Sequence, residues 1–364
     1  MAANGDDAKW DNLLQTFLAE STQALQSIDV DGGLPRINRR AVKDTLAAVS
    51  QEANKVGVLL NSKAEFEHAR DITKECEQSL AQFVSACRHI AFGSGKTLHK
   101  HVRDHAETVV AATQALMRAA LGGSGAGPTQ DLKPLVGIVW QRGETAGRMA
   151  TDDLTVIGRG VTERCAIVVD ALREMKEALA VAQEAASRPP EPEAAADSEA
   201  AVSAGGVAGG ADDAADSDDD DNDDFDFDDE DDEPLSPREI LVIPACVNFF
   251  EQIIAFYKGI VRCLITLKQA SAGQPPPSSE PLEKVLVAAA EIANAVDGVN
   301  DSAIYTPQDL VEMRVNAATV AALATGCCEH FEALEAPHRE ELAVAAAKLT
   351  TLAALEPLFE SEQH

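Results

Sequence analysis

Between residues 63 and 91 a seam runs through Phe66, Ala69, Thr73, Cys76, Leu80, Phe83, Cys87 and Ile90. Its steps alternate between three and four, the spacing that keeps one face of a helix against its neighbours. The same alternation recurs in Leu98, Val102, His105, Val109, Ala112, Leu116 and Ala119, which predicts a helix over 97–121. Trp10, Leu13, Leu14, Phe17, Leu18 and Leu25 predict an earlier helix over 7–28, ended by Gly32, Gly33 and Pro35. Helices over 38–60 and 131–146 and a long one over 151–187 complete the first half.

Beyond residue 234 the pattern resumes. Ile240, Ile243, Val247, Phe250, Ile254, Tyr257, Val261 and Leu264 again step by three and four. Ser236, Pro237 and Glu239 predict a capping box in front of this run, although Pro244 within it implies a kink or a late start. Thr306-Pro307 predicts a second capped start. Helices are expected over 280–300, from 306 through Phe331, and over 338–360, about ten in all with no strand. Ala and Val flank many seam positions, so the buried stripe is wider than a two-stranded coiled coil needs. The fold class expected is all-α: two up-and-down bundles, 6–187 and 235–364, joined by 188–234. A five-and-five division, which moves the 151–187 helix to the second bundle, is the alternative.

Composition sharpens the linker. Residues 191–233 hold 20 Asp and Glu with no Lys or Arg, so the rest of the chain carries −11 of the net −31. Such a stretch cannot bury enough apolar surface to offset the entropy of ordering, and is expected to be disordered. The acidic balance argues against direct nucleic-acid partners and against anionic membranes. No uncharged apolar run is long enough for a membrane span, and no basic-then-apolar leader opens the sequence. The seven cysteines form no paired metal knuckle and read as reduced core thiols, as expected of a cytosolic or nuclear protein.

Several short strings stand in a telling order: Val49-Ser50-Gln51-Glu52-Ala53, Gly95 through Lys100 with Val102-Arg103, and Val139-Trp140. Ala171 through Met175, Leu241-Val242-Ile243-Pro244 and Ala303-Ile304-Tyr305 continue the series over roughly 40–360. In this order they resemble the cyclin-D1-binding protein family, whose members are also described as interactors of D-type cyclins and helix-loop-helix proteins. The resemblance implies a two-part helical fold, presence in nucleus and cytoplasm, and a role restraining cell-cycle progression by protein binding.

Candidate chemistry is sparse. Gly93-Ser94-Gly95-Lys96-Thr97 looks like the end of a phosphate-binding loop, but Ile90 stands where the first glycine belongs and a helix precedes it. A helix end followed by a turn is the reading preferred. His101-Val102-Arg103-Asp104-His105 puts two imidazoles on one helix face in an inverted-zincin-like pattern. The acid is Asp and no third ligand is placed, so a structural histidine pair is expected. No catalytic residue, cofactor or metal is therefore assigned.

In the acidic run, Phe225 and Phe227 form a candidate partner-binding motif, two phenyl rings flanked by carboxylates. Ser217, followed by Asp218 to Asp220, and Ser236, before Pro237, are candidate phosphorylation sites. The function expected is non-enzymatic: a protein-binding regulator, with a helical scaffold similar to vinculin and talin, or an acidic chaperone of basic proteins, as alternatives.

Overall fold

The computed structural model describes residues 5–29, 39–62, 64–123, 127–187, 240–271, 277–305 and 308–353. Among these the fold is all-α, with ten α-helices and no strand. In chain order they are α1 (Gly5–Gln26), α2 (Arg39–Leu59), α3 (Phe66–Ala91), α4 (Lys96–Leu121), α5 (Lys133–Ala146) and α6 (Asp153–Ser187). Then follow α7 (Ile243–Ala270), α8 (Ser279–Ile304), α9 (Leu310–Ala333) and α10 (Arg339–Ala353). The acidic run, with Phe225, Phe227, Ser217 and Ser236, lies outside the described residues.

The seams are the core. Phe83, Leu80, Cys76 and Cys87 of α3 and Leu116, Val109 and Val102 of α4 are fully buried. Trp10 of α1 closes that core edge-on against Phe66, ring centroids 5.5 Å apart. In the second half α7 buries Phe249, Phe250, Phe256 and Tyr257, and the Tyr257 hydroxyl donates to the Ala289 carbonyl.

Helices α1 to α5 form a closed ring, α1 against α3, α3 against α2, α2 against α5, α5 against α4 and α4 against α1. A second ring runs α6, α7, α10, α9, α8 and back to α6. Helix α6 thus packs mainly on α7 and α8 and touches the first ring chiefly through α4. A border at residue 187 would have placed it with α1 to α5; the five-and-five division is the one its packing follows. A 35-residue helix spans about 50 Å, and it lies along the 28-residue α7 and the 26-residue α8.

Two ion pairs show that α7 runs antiparallel to α6. Lys268 Nζ lies 2.9 Å from Asp152 at the start of α6, and Lys176 Nζ lies 2.8 Å from Glu251 near its far end.

The caps differ from expectation in places. Helix α9 starts at Leu310, and its N-cap is Asp309, whose carboxylate accepts from the Val311 and Glu312 N–H groups at 3.0 and 2.8 Å. The expected start at Thr306-Pro307 lies outside the described residues. Pro244 sits in the first turn of α7, where its missing N–H costs nothing, so the helix starts late rather than kinking.

Candidate functional site

The phosphate-loop-like segment turns out to be the seam between the two rings. After α3 the chain turns through Gly93, at φ +64°, and reaches Gly95, the N-cap of α4. Helix α4 has no capping side chain of its own. Its free N–H groups are met instead by two carboxylates from the second ring. Gly95 N–H donates to Asp153 Oδ1 at 2.8 Å, and Thr97 N–H donates to Glu283 Oε1 at 2.8 Å. The Thr97 hydroxyl donates to Glu283 Oε2 at 2.6 Å. Carboxylates suit a helix N-terminus for the same reason phosphates do: orphan donors and the positive end of the helix dipole point at them. A Cβ on Gly95 would stand 2.5 Å from Glu283 Oε1, so only glycine lets the acid approach. The anion-binding capacity of this segment is filled by the protein's own side chains.

The histidine pair lies one turn further along α4. The rings of His101 and His105 meet edge to face, centroids 4.6 Å apart. His101 Nε2 accepts from the Ala150 N–H at 3.1 Å, which ties α4 to the loop that leads into α6. That bond requires an unprotonated Nε2. Burial agrees, lowering the His101 pKa to about 4 and the His105 pKa as well. No group of three His, Cys, Asp or Glu residues able to hold a metal is found among the described residues.

The cysteines are all free. Burial pushes the thiols of Cys76 and Cys246 up to about 12 and that of Cys328 up to about 11. Cys327 and Cys328 are both buried, although adjacent residues of a helix point in different directions. Thiols held protonated in this way are packing groups.

Among the described residues, three surface grooves stand out. One, of about 450 Å³, lies where α4, α6 and α8 meet and mixes Lys100, Arg159 and Arg164 with Asp104 and Glu163. Another, of about 460 Å³ between α9 and α10, is lined largely by Ala318, Ala321, Ala322 and Ala353.

The third, of about 420 Å³, lies between α2 and α5. Its floor is Leu46, Ala47, Gly143 and Gly147, and Trp140 forms a wall. Trp140 is 49% exposed, with its indole N–H donating to Asn54 Oδ1 at 3.1 Å. Lys43 and Arg148 stand at the rim, and Arg148 pairs with Glu144. At one end Arg39 Nε and Nη2 donate to the Gly147 carbonyl at 3.4 and 3.3 Å. The two helices approach closely because Gly57 lies against Val136, where a Cβ would be 2.5 Å from Val136 Cγ2.

Sequence reasoning singled out neither the groove nor the carboxylate pair. For the groove the legible signal was an indole on a short helix followed at three-residue and seven-residue steps by Gly143 and Gly147. For the caps there was no signal, since Glu283 and Thr97 are 186 residues apart.

The fold and its surfaces define an all-helical protein of two five-helix rings, bonded to each other through helix ends. Residues 41–181, from α2 into α6, match the family model described as Grap2 and cyclin-D-interacting, N-terminal. Over that span the chain is similar to this family, in keeping with the resemblance carried by the residue strings that fall within it. Comparison with curated proteins gives no match. No helix among the described residues is long and apolar enough to cross a membrane.

Proposed function

We propose that the chain is a non-catalytic regulator that binds a D-type cyclin or helix-loop-helix-type factors, and thereby restrains cell-cycle progression in nucleus and cytoplasm. The observation that carries this reading is the match of residues 41–181 to a family named for cyclin-D interaction. The chemistry of the chain supports it. The two motifs with catalytic overtones are both spent on structure, the glycine-rich turn on Asp153 and Glu283 and the histidine pair on Ala150. What remains for function is surface, and the matched span contains the α2–α5 groove with its half-exposed indole. Half-exposed tryptophans beside arginines are the side chains that most often dominate protein–protein binding energy.

Calorimetric titration of a purified D-type cyclin into the full chain tests the reading. Saturable binding at a stoichiometry of one supports it. Absence of heat and of co-elution over the micromolar range counts against a cyclin partner.

A further inference from the structure

The three grooves differ in what they offer a ligand. The α4–α6–α8 groove sets Lys100, Arg159 and Arg164 against Asp104 and Glu163, but no tryptophan, tyrosine or phenylalanine lines it. The α9–α10 groove is a bed of small side chains. Of these three, it is the α2–α5 groove that joins an apolar floor and an indole wall to a surplus of cations.

Lys43, Arg148 and Arg39 face one acid there, Glu144, on a chain whose net charge is −31. Lys43 has no carboxylate partner among the described residues. The Arg148–Glu144 pair is exposed on both sides and joins the end of α5 to the turn after it, a weak surface ion pair, so Arg148 is readily released to another acid. The indole face would accept either an apolar group or a cation. With Lys43 and Arg148 alongside, an approaching cation is repelled and an apolar group is not.

We propose that the α2–α5 groove takes an acidic segment of a partner protein that presents a phenylalanine, leucine or similar side chain. This rests on the protein-binding reading and adds the chemistry of the partner. The apolar side chain lies over Leu46, Ala47 and Gly143 against Trp140, and the flanking carboxylates meet Lys43, Arg148 and Arg39. A groove of about 420 Å³ has room for one aromatic side chain and part of its backbone.

The chain reports on its own binding. It has two tryptophans, and Trp10 is 7% exposed against 49% for Trp140, so quenching by acrylamide reads Trp140. The probe is a short synthetic peptide of aspartate and glutamate around a pair of phenylalanines, titrated into the full chain. Expected are a saturable blue shift of emission, shielding of Trp140 from the quencher, and weakening as salt is raised. Ala47→Phe fills the groove from an exposed position, and Lys43→Glu with Arg148→Glu reverses its rim. Each should weaken the peptide by about tenfold or more with the helical circular dichroism unchanged.

A peptide with the phenylalanines replaced by alanine should bind far less. No saturable change, equal affinity in both variants, or equal binding of the alanine peptide would overturn the proposal. A D-type cyclin held as tightly by Ala47→Phe as by the parent chain would also overturn it while leaving the protein-binding reading intact. Peptide binding without cyclin binding would keep the groove and remove the cyclin.

Discussion

In the C-terminal ring, α7 turns four neighbouring aromatics, Phe249, Phe250, Phe256 and Tyr257, into the core, and even the Tyr257 hydroxyl is paired inside. The N-terminal ring treats its two tryptophans oppositely. Trp10 is sealed against Phe66, while Trp140 stands half out of the surface with its N–H anchored by Asn54. A large ring left in water forfeits burial energy of a few kcal/mol at most, and its indole bond keeps it from folding away. The contrast separates two uses of the same architecture. Helix α7 spends its aromatics on packing; α5 keeps one, with a cationic rim, at the surface.

The largest test of that contrast is in the core. Phe250→Ala should destabilise the protein by about 3–5 kcal/mol, because the side chain is fully buried and leaves a cavity among close-packed neighbours. Phe83→Ala, equally buried in the first ring, should cost a similar amount. Denaturant melts followed by circular dichroism measure both, and a loss below about 1 kcal/mol for either would mean that the seam is not core.

The next effect lies where the rings meet. Glu283→Ala removes the acceptor for the Thr97 N–H and hydroxyl, and should cost about 1–2 kcal/mol as a lost cap. Gly95→Ala drives a Cβ into the same carboxylate and should act in the same direction. Amide exchange of the first turn of α4 should speed up in both variants while the core of each ring stays protected. Unchanged exchange there would show that the two carboxylates do not hold the rings together.

A smaller effect follows from His101. Below pH 6.5 the unfolded chain takes up a proton at this position, whereas the folded chain refuses it until about pH 4. The stability from the neutral ring is therefore complete above pH 6.5 and is lost as the pH falls towards 4. For a half-buried ring screened by solvent the change is of order 1 kcal/mol. His101→Gln, neutral throughout, should flatten the stability profile in that window; an unchanged slope would assign the pH dependence elsewhere. The smallest effect is expected at the groove. Trp140→Ala should move stability by about 1 kcal/mol or less, since the residue is at the surface, yet should abolish the quenchable emission.

Much of this fold is written in local pattern. The alternation from Phe66 to Ile90 became α3, and that from Leu98 to Ala119 became α4, because burial of one helix face is a short-range property of sequence. The partners of each helix were less legible. Helix α6 shows an apolar face without saying which ring it serves, and its answer depends on α7, more than fifty residues later. The cap of α4 was out of reach for the same reason, since Glu283 reaches Thr97 only once both rings are folded. At the start of α9 the cap-plus-proline pattern pointed to Thr306-Pro307, and Asp309, which caps the described helix, was not singled out. The groove was the least legible feature, because it arises from two glycine-containing helices lying close and from what each leaves uncovered.

Hydrogen exchange on the full chain, with and without a purified D-type cyclin, tests the central claim most directly. Protection is predicted along α2 from Lys43 to Ser50 and along α5 around Trp140, with α7 to α10 unchanged. Protection confined to the C-terminal ring, or none at saturating cyclin, would contradict the assignment of contact to the N-terminal ring.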